Sequence, residues 1–584
     1  MTDDAYPPDT STSSPEPDTN PASPSRRRFL AGAAALAATI GIVRPDPAVA
    51  AAQLPDFPPD VELYRTVYRN WADEITAEGL WACAPADPDQ VVEVVNWAWR
   101  QGWTVRARGS SHGWSPLTIT DHTPSDAPVL LVDTAGHLTD VTVASTEPAT
   151  VRAGTGITME ALLARLEEQD LGFTAVPATG DITLGGALAI DAHGTAVPAL
   201  GEQPAPGHTY GSLSNVIVSL TAVVWDENSG EYTLRTFDRD ETECAALLAH
   251  LGRSLVTEVV LRVGANQRLR CVSRTDIPAS ELFAAPGSGG RTLASFLDAS
   301  GRAEAVWFAF TDRPWLKTWT LSPTRPPGSR QVTQPYNYPF SDNIPQTVAD
   351  LVDRVIADAA WYLAPLLGAA EYTATNLGLA ATASADIWGT SKNTLLYLRP
   401  TTLRFTTAGF TVLTTRSQVQ LVVHEFTSHY SELLNTYAAR GQFPVNGQFD
   451  VRVTGLDRPA DTGLPGAQAP LLSALRPSDD HPEWDTAVWM DVTTLPGTPH
   501  AEAFLRELEQ FLFQRYAGDT ALTRVEWSKG WAYTDTAAWS DDQVIGTELP
   551  AAFGDTVWET AAGDLNQLDP HRVFHNTFLD RLLP

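Results

Sequence analysis

Residues 104–116 read TVRARGSSHGWSP, and more follows from this stretch than from any other in the chain. Its first five residues predict a strand, and the turn that follows presents His112 between Gly109 and Gly113. A histidine in a Gly/Ser turn is common on ordinary surface loops, and it is also common where a loop carries a functional group. The local pattern leaves both interpretations open.

The same letters satisfy the G-x-S-x-G pattern of a serine-hydrolase nucleophile elbow, with Ser111 as the nucleophile. That elbow needs a helix immediately after the serine. Here Pro116 and the β-branched residues that follow it oppose a helix, so we expect no elbow.

The length of 584 residues predicts roughly two to four domains, and the composition is typical of a globular protein. The formal net charge is −31 without a basic cluster, which argues against nucleic-acid binding. Three cysteines without C-x-x-C spacing indicate neither a zinc site nor a disulfide framework. Redox chemistry in this chain would therefore need a cofactor.

Residues 1–50 are predicted to be an export signal rather than part of the fold. Arg26 and Arg27 precede Phe29, an apolar run follows, and residues 48–50 read AVA, a small-residue cleavage site. The paired arginines resemble a twin-arginine signal. Beyond this segment no apolar run reaches eighteen residues, so we expect no transmembrane span in the mature chain.

The remaining chain divides by pattern near residue 264. Up to there short strands alternate with helices, including one capped by Asp87 and Pro88 and one over residues 159–169 closed by Gly172. From residue 265 to 559 the pattern predicts a largely antiparallel sheet with strands at 303–310, 448–455 and 487–492. Helices predicted at 346–367 and 502–516 would cover one face, which makes the fold class α+β.

Glycine is concentrated in residues 177–194, where Gly180, Gly185, Gly186 and Gly194 would let a ligand approach the backbone. Ordinary turns explain any one of them equally well. The spacing does not complete G-x-G-x-x-G, so a Rossmann site is a poor fit.

Charged residues also interrupt the predicted sheet. Strand geometry puts Asp450 and Arg452 on one face, and Glu304 stands among apolar strand residues. Such groups are either exposed pairs or a buried site in which arginine stabilises an oxyanion and a carboxylate moves protons. By contrast His424 and His429 are five residues apart, which does not place two imidazoles on one metal, so we expect a plain helix and no metal site.

Several segments together resemble the FAD-binding fold of the vanillyl-alcohol oxidase and p-cresol methylhydroxylase (PCMH) superfamily and, within it, the type II cholesterol oxidases with covalent flavin. The segments that carry the resemblance are 106–118, 180–194, 206–215, 251–253, 386–389, 526–531 and 569–574. The resemblance implies a two-domain flavoprotein: a PCMH-type FAD-binding domain at 51–264, a sterol-binding domain at 265–559 with a large antiparallel sheet covered by helices, and a segment at 560–584 that returns to the FAD domain.

The resemblance also implies roles for individual residues. His112 would bind the flavin 8α-methyl carbon covalently and raise the potential of the cofactor. The residues that would wrap the isoalloxazine are Gly109, Ser110, Ser111 and Gly113. The further residues expected at the cofactor are Gly185 and Gly186 near the pyrophosphate, with Gly180, Thr183, His193, Gly194 and Asn576.

The active-site and oxygen-gate positions implied by the resemblance are Glu304, Asp450, Arg452, Asp491, Glu526 and Lys529. Two of them depart from the family, which has glutamate in place of Asp450 and asparagine in place of Asp491. A carboxyl group shifted by about 1 Å can cost roughly a hundredfold in rate. The added charge of Asp491 would raise the pKa of one carboxyl group.

These implications predict an exported, monomeric FAD oxidase that converts a sterol 3β-hydroxyl to the conjugated 4-en-3-one and reduces O2 to hydrogen peroxide. We expect no nucleic-acid partner, and transient contact with a membrane surface is compatible with this function. The alternatives are an oxidase or dehydrogenase of another bulky alcohol or a sugar, a secreted binding protein with little turnover, and, more remotely, a hydrolase centred on Ser111.

Overall fold

The computed structural model describes residues 54–584, apart from 339–347, 349–350, 353, 356–358 and 401. The predicted export signal lies outside the described residues. Two main sheets form the N-terminal half. The first has the order β1-β2-β4-β3, in which β4 runs parallel to both of its neighbours. Its strands are β1 Glu62–Arg69, β2 Thr76–Ala84, β3 Thr104–Arg108 and β4 Val129–Asp133.

The second sheet is antiparallel, with the order β5-β6-β10-β8-β9. Its strands, with the short β7/β11 pair beside it, are β5 Val141–Thr146, β6 Ala149–Gly154, β7 Leu171–Gly172, β8 Ile217–Asp226, β9 Glu231–Asp238, β10 Leu255–Arg262 and β11 Gly264–Ala265. The helices of this half are α1 Pro88–Gln101, α2 Met159–Glu167, α3 Leu184–Ala189 and α4 Cys244–Leu247, with a 3-10 turn at Leu213–Val216.

Helix α1 begins and ends as the sequence predicts. The Asp87 side chain accepts a hydrogen bond from the Gln90 N–H, Pro88 is the first helical residue, and Gly102 closes the helix with φ +69°. Helix α2 ends earlier than predicted, at Glu167. Gly172 is not its cap, because it pairs instead with Gly264 in the β7/β11 ladder.

A nine-stranded sheet dominates the C-terminal half, in the order β15-β16-β12-β14-β13-β18-β19-β17-β20. It is antiparallel except for the β15/β16 pair, as the sequence predicts. Its strands are β12 Arg268–Arg274, β13 Arg302–Phe308, β14 Trp315–Leu321, β15 Arg330–Gln331, β16 Asp386–Thr390, β17 Thr406–Thr414, β18 Gln448–Gly455, β19 Thr486–Thr494 and β20 Leu522–Val525.

The helices of this half are α5 Ala279–Leu282, α6 Leu293–Ser300, α7 Ala364–Ala381, α8 Ser391–Leu395, α9 Val419–Ala439, α10 Ala501–Arg515, α11 Leu549–Phe553, α12 Asp555–Leu568 and α13 Thr577–Leu582. Helix α9, with its neighbours α6 and α10, covers one face of the sheet. Helix α7 packs beside Val306 and Trp315, and α12 packs on α4 and β8 of the N-terminal half. Shorter 3-10 turns lie at Trp361–Leu363, Arg416–Gln418 and Pro459–Thr462, and a π-helical turn lies at Val544–Glu548. The helix predicted at 502–516 is α10, whereas much of the one predicted at 346–367 lies outside the described residues and α7 begins at Ala364.

Alternation along β18 separates the two faces of the sheet. The Phe449 ring packs against Phe426 and Tyr430 of α9, at ring-centroid distances of 5.2 and 5.4 Å. Asp450 and Arg452 therefore point to the opposite face. Helix α9 is the plain helix predicted around residues 424–429: His424 contacts the Phe283 carbonyl, and His429 stacks on Phe511.

The C-terminal segment packs against the first sheet. The Val105 N–H of β3 donates to the Val573 carbonyl at 2.8 Å, and Arg106 donates to the Phe574 carbonyl at 2.7 Å. Among the described helices, none is long and apolar enough to cross a bilayer.

Candidate active site

One cavity lies where the N-terminal half meets the uncovered face of the nine-stranded sheet. Most of the residues singled out from the sequence line it. They are Gly109, Ser110, Ser111, His112, Gly113, Thr183, Gly185, Gly186, His193, Asp450, Arg452, Asp491, Glu526 and Lys529. Gly180, Gly194, Glu304 and Asn576 lie outside its lining.

The loop after β3 holds His112 against this cavity. Its backbone turns at Ser111, where φ is +54°. Residues 112–116 form no helix, so this loop lacks the hydrolase elbow, as predicted. The imidazole stacks on Trp71 at a centroid distance of 3.8 Å. At Gly109 any larger residue is excluded, because a Cβ there would lie 2.1 Å from Thr183 Oγ1.

His112 is held uncharged by its surroundings. Burial lowers its pKa to about 3, and the nearby cations of Lys529 and Arg404 add to the effect. Its Nδ1 lies 3.9 Å from an Asp181 carboxylate oxygen, and among the described residues that nitrogen has no hydrogen-bond partner. The imidazole therefore keeps a free lone pair beside the cavity.

Hydrogen bonds tie the His112 loop to the turn after β20. The Trp114 N–H donates to the Ser528 carbonyl at 2.7 Å, and Ser115 Oγ donates to the Trp527 carbonyl at 2.7 Å. Lys529 Nζ lies 4.0 Å from the centre of the Trp114 ring, a cation–π contact. The loop and the charged part of the site are thus one connected unit.

The second wall comes from the start of α3. The Gly185 N–H donates to the Thr155 carbonyl at 2.8 Å, and a Cβ on Gly185 would lie 2.9 Å from the Thr155 Cβ. Thr183 caps the helix by accepting from the Gly186 N–H. This packing requires a small residue at 185 and exposes the backbone of the turn to the cavity.

The three expected cofactor residues outside the lining have packing roles in the structure. A Cβ on Gly194 would lie 2.7 Å from the Val176 backbone, and one on Gly180 would lie 3.0 Å from Glu160. Asn576 caps α13 and donates to the Pro116 carbonyl at 3.0 Å. They shape the cavity from behind its wall.

Strand register assembles the charged cluster. Asp450 of β18 pairs directly with Asp491 of β19, and Arg452 pairs with Glu304 of β13 on its other side. Arg452 forms an ion pair with Asp491 and lies 3.5 Å from Glu526. Lys529 Nζ lies 3.9 Å from the other oxygen of Glu526.

Two carboxyl groups of the cluster hold protons more tightly than usual. Burial, followed by the charges of Glu304 and Asp491, raises the pKa of Asp450 to about 7. Burial raises the pKa of Asp491 to about 6 even though Arg452 opposes the shift. A carboxyl group with a pKa near 7 can take up and release a proton at neutral pH.

His193 adjoins the same cluster with a defined tautomer. Its ring stacks on Trp489 at 3.6 Å, and its Nδ1 lies 2.9 Å from the Gly194 carbonyl oxygen. A carbonyl can only accept, so Nδ1 carries the hydrogen and Nε2 has the lone pair. Nε2 lies 4.0 Å from Glu526 Oε1, and burial lowers the pKa of the ring to about 3.

Comparison with known proteins identifies this architecture. The family model described as "Cholesterol oxidase, substrate-binding" matches residues 268–584, and the model described as "FAD binding domain" matches residues 81–228. A solved solvent-stable cholesterol oxidase is 50% identical, with a TM-score of 0.89, over 91% of this chain and 100% of the other. The chain belongs to the cholesterol oxidase family.

Other solved structures agree with this assignment. Cholesterol oxidase from B. sterolicum is 44% identical with a TM-score of 0.88, over 91% of this chain and 99% of the other, and a histidine-to-alanine mutant of the Brevibacterium sterolicum enzyme matches equally well. No match was found among curated proteins. The family assignment makes this chain an FAD-dependent alcohol oxidoreductase with an FAD-binding and a substrate-binding domain.

The cavity fits FAD by its own chemistry. Ser111 Oγ and His112 Nδ1 are buried polar atoms without partners among the described residues, and both residues line the cavity. The tight packing of Gly109 and Gly185 brings backbone groups to the same wall. Polar backbone and unpaired side-chain atoms are what a flavin needs from its site.

The sequence did not single out four residues that shape this cholesterol oxidase site. Trp71 stacks on His112, Arg404 lies near it, and Lys317 and Tyr397 contact Glu304. Lys317 did have a sequence signal, because it stands alone among apolar residues in the strand WLKTW, as Glu304 does in its own strand. Nothing local to Trp71 marks it.

Proposed function

We propose that this protein is an FAD-dependent oxidase of a sterol 3β-hydroxyl, with the flavin bound covalently through His112. The observation that carries the proposal is one cavity with an uncharged, unpaired imidazole on one wall and a buried carboxylate cluster on another. The match to the cholesterol oxidase substrate-binding model and the solved cholesterol oxidases support a sterol as the substrate.

The neutral state of His112 suits covalent attachment. A nitrogen that forms a bond to carbon must have its lone pair free, and the low pKa leaves the imidazole unprotonated at any ordinary pH. Stacking on Trp71 fixes the plane of the ring. Preorganisation of this kind reduces the entropic cost of bond formation.

The cluster supplies proton transfer during oxidation. A base of the set Asp450, Asp491 and Glu526 takes the hydroxyl proton, while Lys529 and Arg452 stabilise negative charge on the substrate oxygen. Bound FAD would supply the acceptor for the hydride of the carbinol carbon, and O2 would then take up the two electrons to give hydrogen peroxide.

Asp450 also suits the isomerisation of the first product. Conversion of a 5-en-3-one to the 4-en-3-one removes a proton from C4 and returns one to C6, so one carboxyl group can take and then give the same proton. A pKa of about 7 matches that exchange at neutral pH. Asp450 is one methylene shorter than the glutamate that the family resemblance implies at this position.

Covalent attachment is tested by denaturing the holoprotein in acid and measuring flavin absorbance in the pellet. We expect colour to stay with the polypeptide in the wild type and to pass into the supernatant for His112→Ala. The matched control is His122→Ala, because His122 exposes 87% of its side chain in the same segment. Release of flavin from the wild type would reject the tether.

The substrate is tested with a sterol panel, following peroxide release and the ultraviolet absorbance of a conjugated ketone. Peroxide with the conjugated ketone supports the full proposal. A holoprotein that oxidises another bulky alcohol or a sugar but no sterol would overturn the substrate assignment. Recovery of isomerisation in Asp450→Glu would show that the length of the carboxylate side chain limits proton transfer.

We also propose export by a twin-arginine route, followed by release or retention at the cell envelope, with the protein a monomer that contacts membrane surfaces only transiently. The support is the Arg26-Arg27 pair ahead of the apolar run in residues 29–43. Replacing both arginines with lysine should retain the protein in the cell. Export of that variant would reject this route.

A further inference from the structure

Lys317 is a buried cation on the face of the nine-stranded sheet that also carries Arg452. It pairs in register with Glu304 across β14 and β13, and Glu304 pairs in turn with Arg452 of β18. Lys317 is 2% exposed, and its Nζ lies 2.7 Å from Glu304 Oε2. A row of alternating charges therefore crosses three strands.

Aromatic rings enclose the Lys317 ammonium group. Its Nζ lies 3.9 Å from the centre of the Tyr397 ring, 4.5 Å from that of Trp315 and 5.9 Å from that of Trp319. The faces of these rings favour a cation, and the Glu304 carboxylate is the ion-pair partner of the enclosed ammonium group.

Glu304 receives two donors, both of which favour its carboxylate form. Lys317 supplies the ion pair, and the Tyr397 hydroxyl lies 2.6 Å from one Glu304 oxygen and 2.8 Å from the other. Asp450 Oδ1, in contrast, has no hydrogen-bond partner among the described residues. The two carboxyl groups are thus held in unequal environments on one face of the sheet.

The charges of the cluster favour the binding of one proton. Four carboxyl groups and three cations converge there: Glu304, Asp450, Asp491 and Glu526 with Lys317, Arg452 and Lys529. Charges inside a protein are strongly disfavoured without a partner, so the seven groups together favour one bound proton. The groups that act on Asp450 are Glu304, Asp491, Arg452 and Lys317.

We infer that Lys317 is a positioning residue that holds Glu304 ionised and thereby leaves the exchangeable proton of the cluster on Asp450. The inference rests on the proposed function, because it concerns the proton that Asp450 moves during isomerisation. Lys317 does not line the cavity, and it acts through Glu304. The charge of Glu304 raises the pKa of Asp450 more than the charge of Lys317 lowers it.

The test compares three variants: Glu304→Gln, Lys317→Met, and the double variant that carries both changes. Methionine matches the length of lysine and packs well against aromatic rings. Replacing both members of a buried ion pair by neutral groups is often tolerated, so the double variant remains informative if a single variant fails to fold. Lys392→Met, at a lysine paired with Glu167 away from the cavity, is the matched control.

Two readouts follow the proton on Asp450 in the holoenzymes. The first is the pH profile of isomerisation when a 5-en-3-one sterol is added directly, so that no oxidation is needed. The second is the infrared carbonyl band of protonated carboxyl groups as pH is changed, with Asp450→Asn used to assign the band. The infrared measurement needs no substrate.

We expect Glu304→Gln to move both titrations down by about 1 pH unit or more, because Lys317 then acts on Asp450 without its counter-charge. The double variant should return them part of the way toward the wild-type position, because the opposing charge of Lys317 is then removed as well. Lys317→Met should add a second protonated band, from Glu304, and Lys392→Met should leave both profiles in place.

An unchanged titration in Glu304→Gln, or a double variant displaced as far as Glu304→Gln alone, would overturn the inference. If the wild type does not isomerise the 5-en-3-one at any pH, the proposed isomerisation fails. The infrared titration then still decides whether Lys317 and Glu304 together place the proton on Asp450.

Discussion

The loop that carries His112 and the sheet face that carries Asp450 border one cavity, yet they keep their titratable groups uncharged by opposite means. His112 is a base buried near the cations Lys529 and Arg404, and its pKa falls to about 3. Asp450 is an acid buried near other carboxyl groups, and its pKa rises to about 7. In both cases burial is the largest cause of the pKa shift, and nearby charges of the same sign as the ionised group add to it.

Because of this difference, His112 keeps one protonation state, whereas Asp450 can exchange a proton. A pKa far below neutrality leaves His112 in one state, as a covalent anchor requires. A pKa near neutrality leaves Asp450 able to change state during each turnover. The same burial thus supports attachment on one wall and proton transfer on the other, because the neighbouring charges differ.

On the sheet face that carries Asp450, the largest loss of stability is expected when Arg452 is removed. Arg452→Met leaves the buried carboxylates of Asp491 and Glu526 without their shared cation. We expect a loss of about 3–5 kcal/mol in the free energy of unfolding at neutral pH. Urea unfolding measures the loss.

Arg515→Met is the control for Arg452→Met, since Arg515 exposes 42% of its side chain and pairs with Glu425 on the surface. A surface pair of this kind is worth about 1 kcal/mol or less. Equal losses in the two variants would show that the ion pairs of Arg452 contribute no more to stability than an exposed surface pair does.

In the loop that carries His112, the corresponding test is a substitution at Gly109. An alanine there places a methyl group against Thr183, where the gap to Oγ1 is only 2.1 Å. We expect a cost of about 1–3 kcal/mol and a lower fraction of protein with bound flavin. Flavin-to-protein absorbance ratios measure the second effect.

The control for Gly109→Ala is Gly563→Ala in α12, where an added Cβ meets nothing within 4 Å. An exposed helical glycine replaced by alanine should leave stability unchanged or raise it by up to about 1 kcal/mol. Full flavin incorporation by Gly109→Ala would contradict the role of this packing.

The dependence of stability on pH sharpens the comparison further. The pKa of Asp450 is raised from 3.8 to about 7 in the folded protein. Between these two pH values the folded state therefore binds more protons at this group than the unfolded state does. The contribution of Asp450 to stability should therefore fall as pH rises from about 4 to 7, by on the order of 1 kcal/mol per pH unit.

Asp450→Asn removes that contribution. The unfolding free energy of the variant minus that of the wild type should therefore increase as pH rises through the same window. Between pH 4 and 6.5 His112 contributes a slope of the opposite sign, because there the unfolded state binds more protons at this group than the folded state. This slope is common to both proteins and cancels in the comparison of Asp450→Asn with the wild type. A difference between Asp450→Asn and wild type that does not change with pH would contradict the raised pKa.

The two regions also differ in how far the sequence predicts them. The His112 loop is local: a strand, two glycines and a proline within thirteen residues predict the turn, and its neighbours along the chain supply most of its shape. Strand β18 was likewise predicted with its observed bounds, because alternation is a local signal. The faces of Asp450 and Arg452 follow from that alternation.

What the sequence leaves open depends on register and packing between distant segments. The pairing of Asp450 with Asp491 joins residues 41 positions apart, and no local pattern fixes it. Glu304 was expected at the active site, yet it lies behind the lining, held by Lys317. The early end of α2 has a similar cause, since pairing with Gly264 decides the conformation of Gly172.

The smallest expected effect concerns the bond that joins the two regions. Ser115 Oγ donates to the Trp527 carbonyl at 2.7 Å, next to the turn that carries Lys529. Ser115→Ala should lower the unfolding free energy by about 1 kcal/mol, the usual net value of one hydrogen bond. Because the bond positions Lys529 relative to His112, the rate of flavin reduction should also fall.

Ser300→Ala is the matched control, since Ser300 is equally buried and its Oγ donates to the Phe296 carbonyl at 2.7 Å, away from the cavity. It should cost similar stability and leave flavin reduction unchanged, as stopped-flow absorbance can show. If Ser115→Ala behaves like Ser300→Ala in both measurements, the bond holds the fold together but does not couple the anchor loop to the proton-transfer cluster.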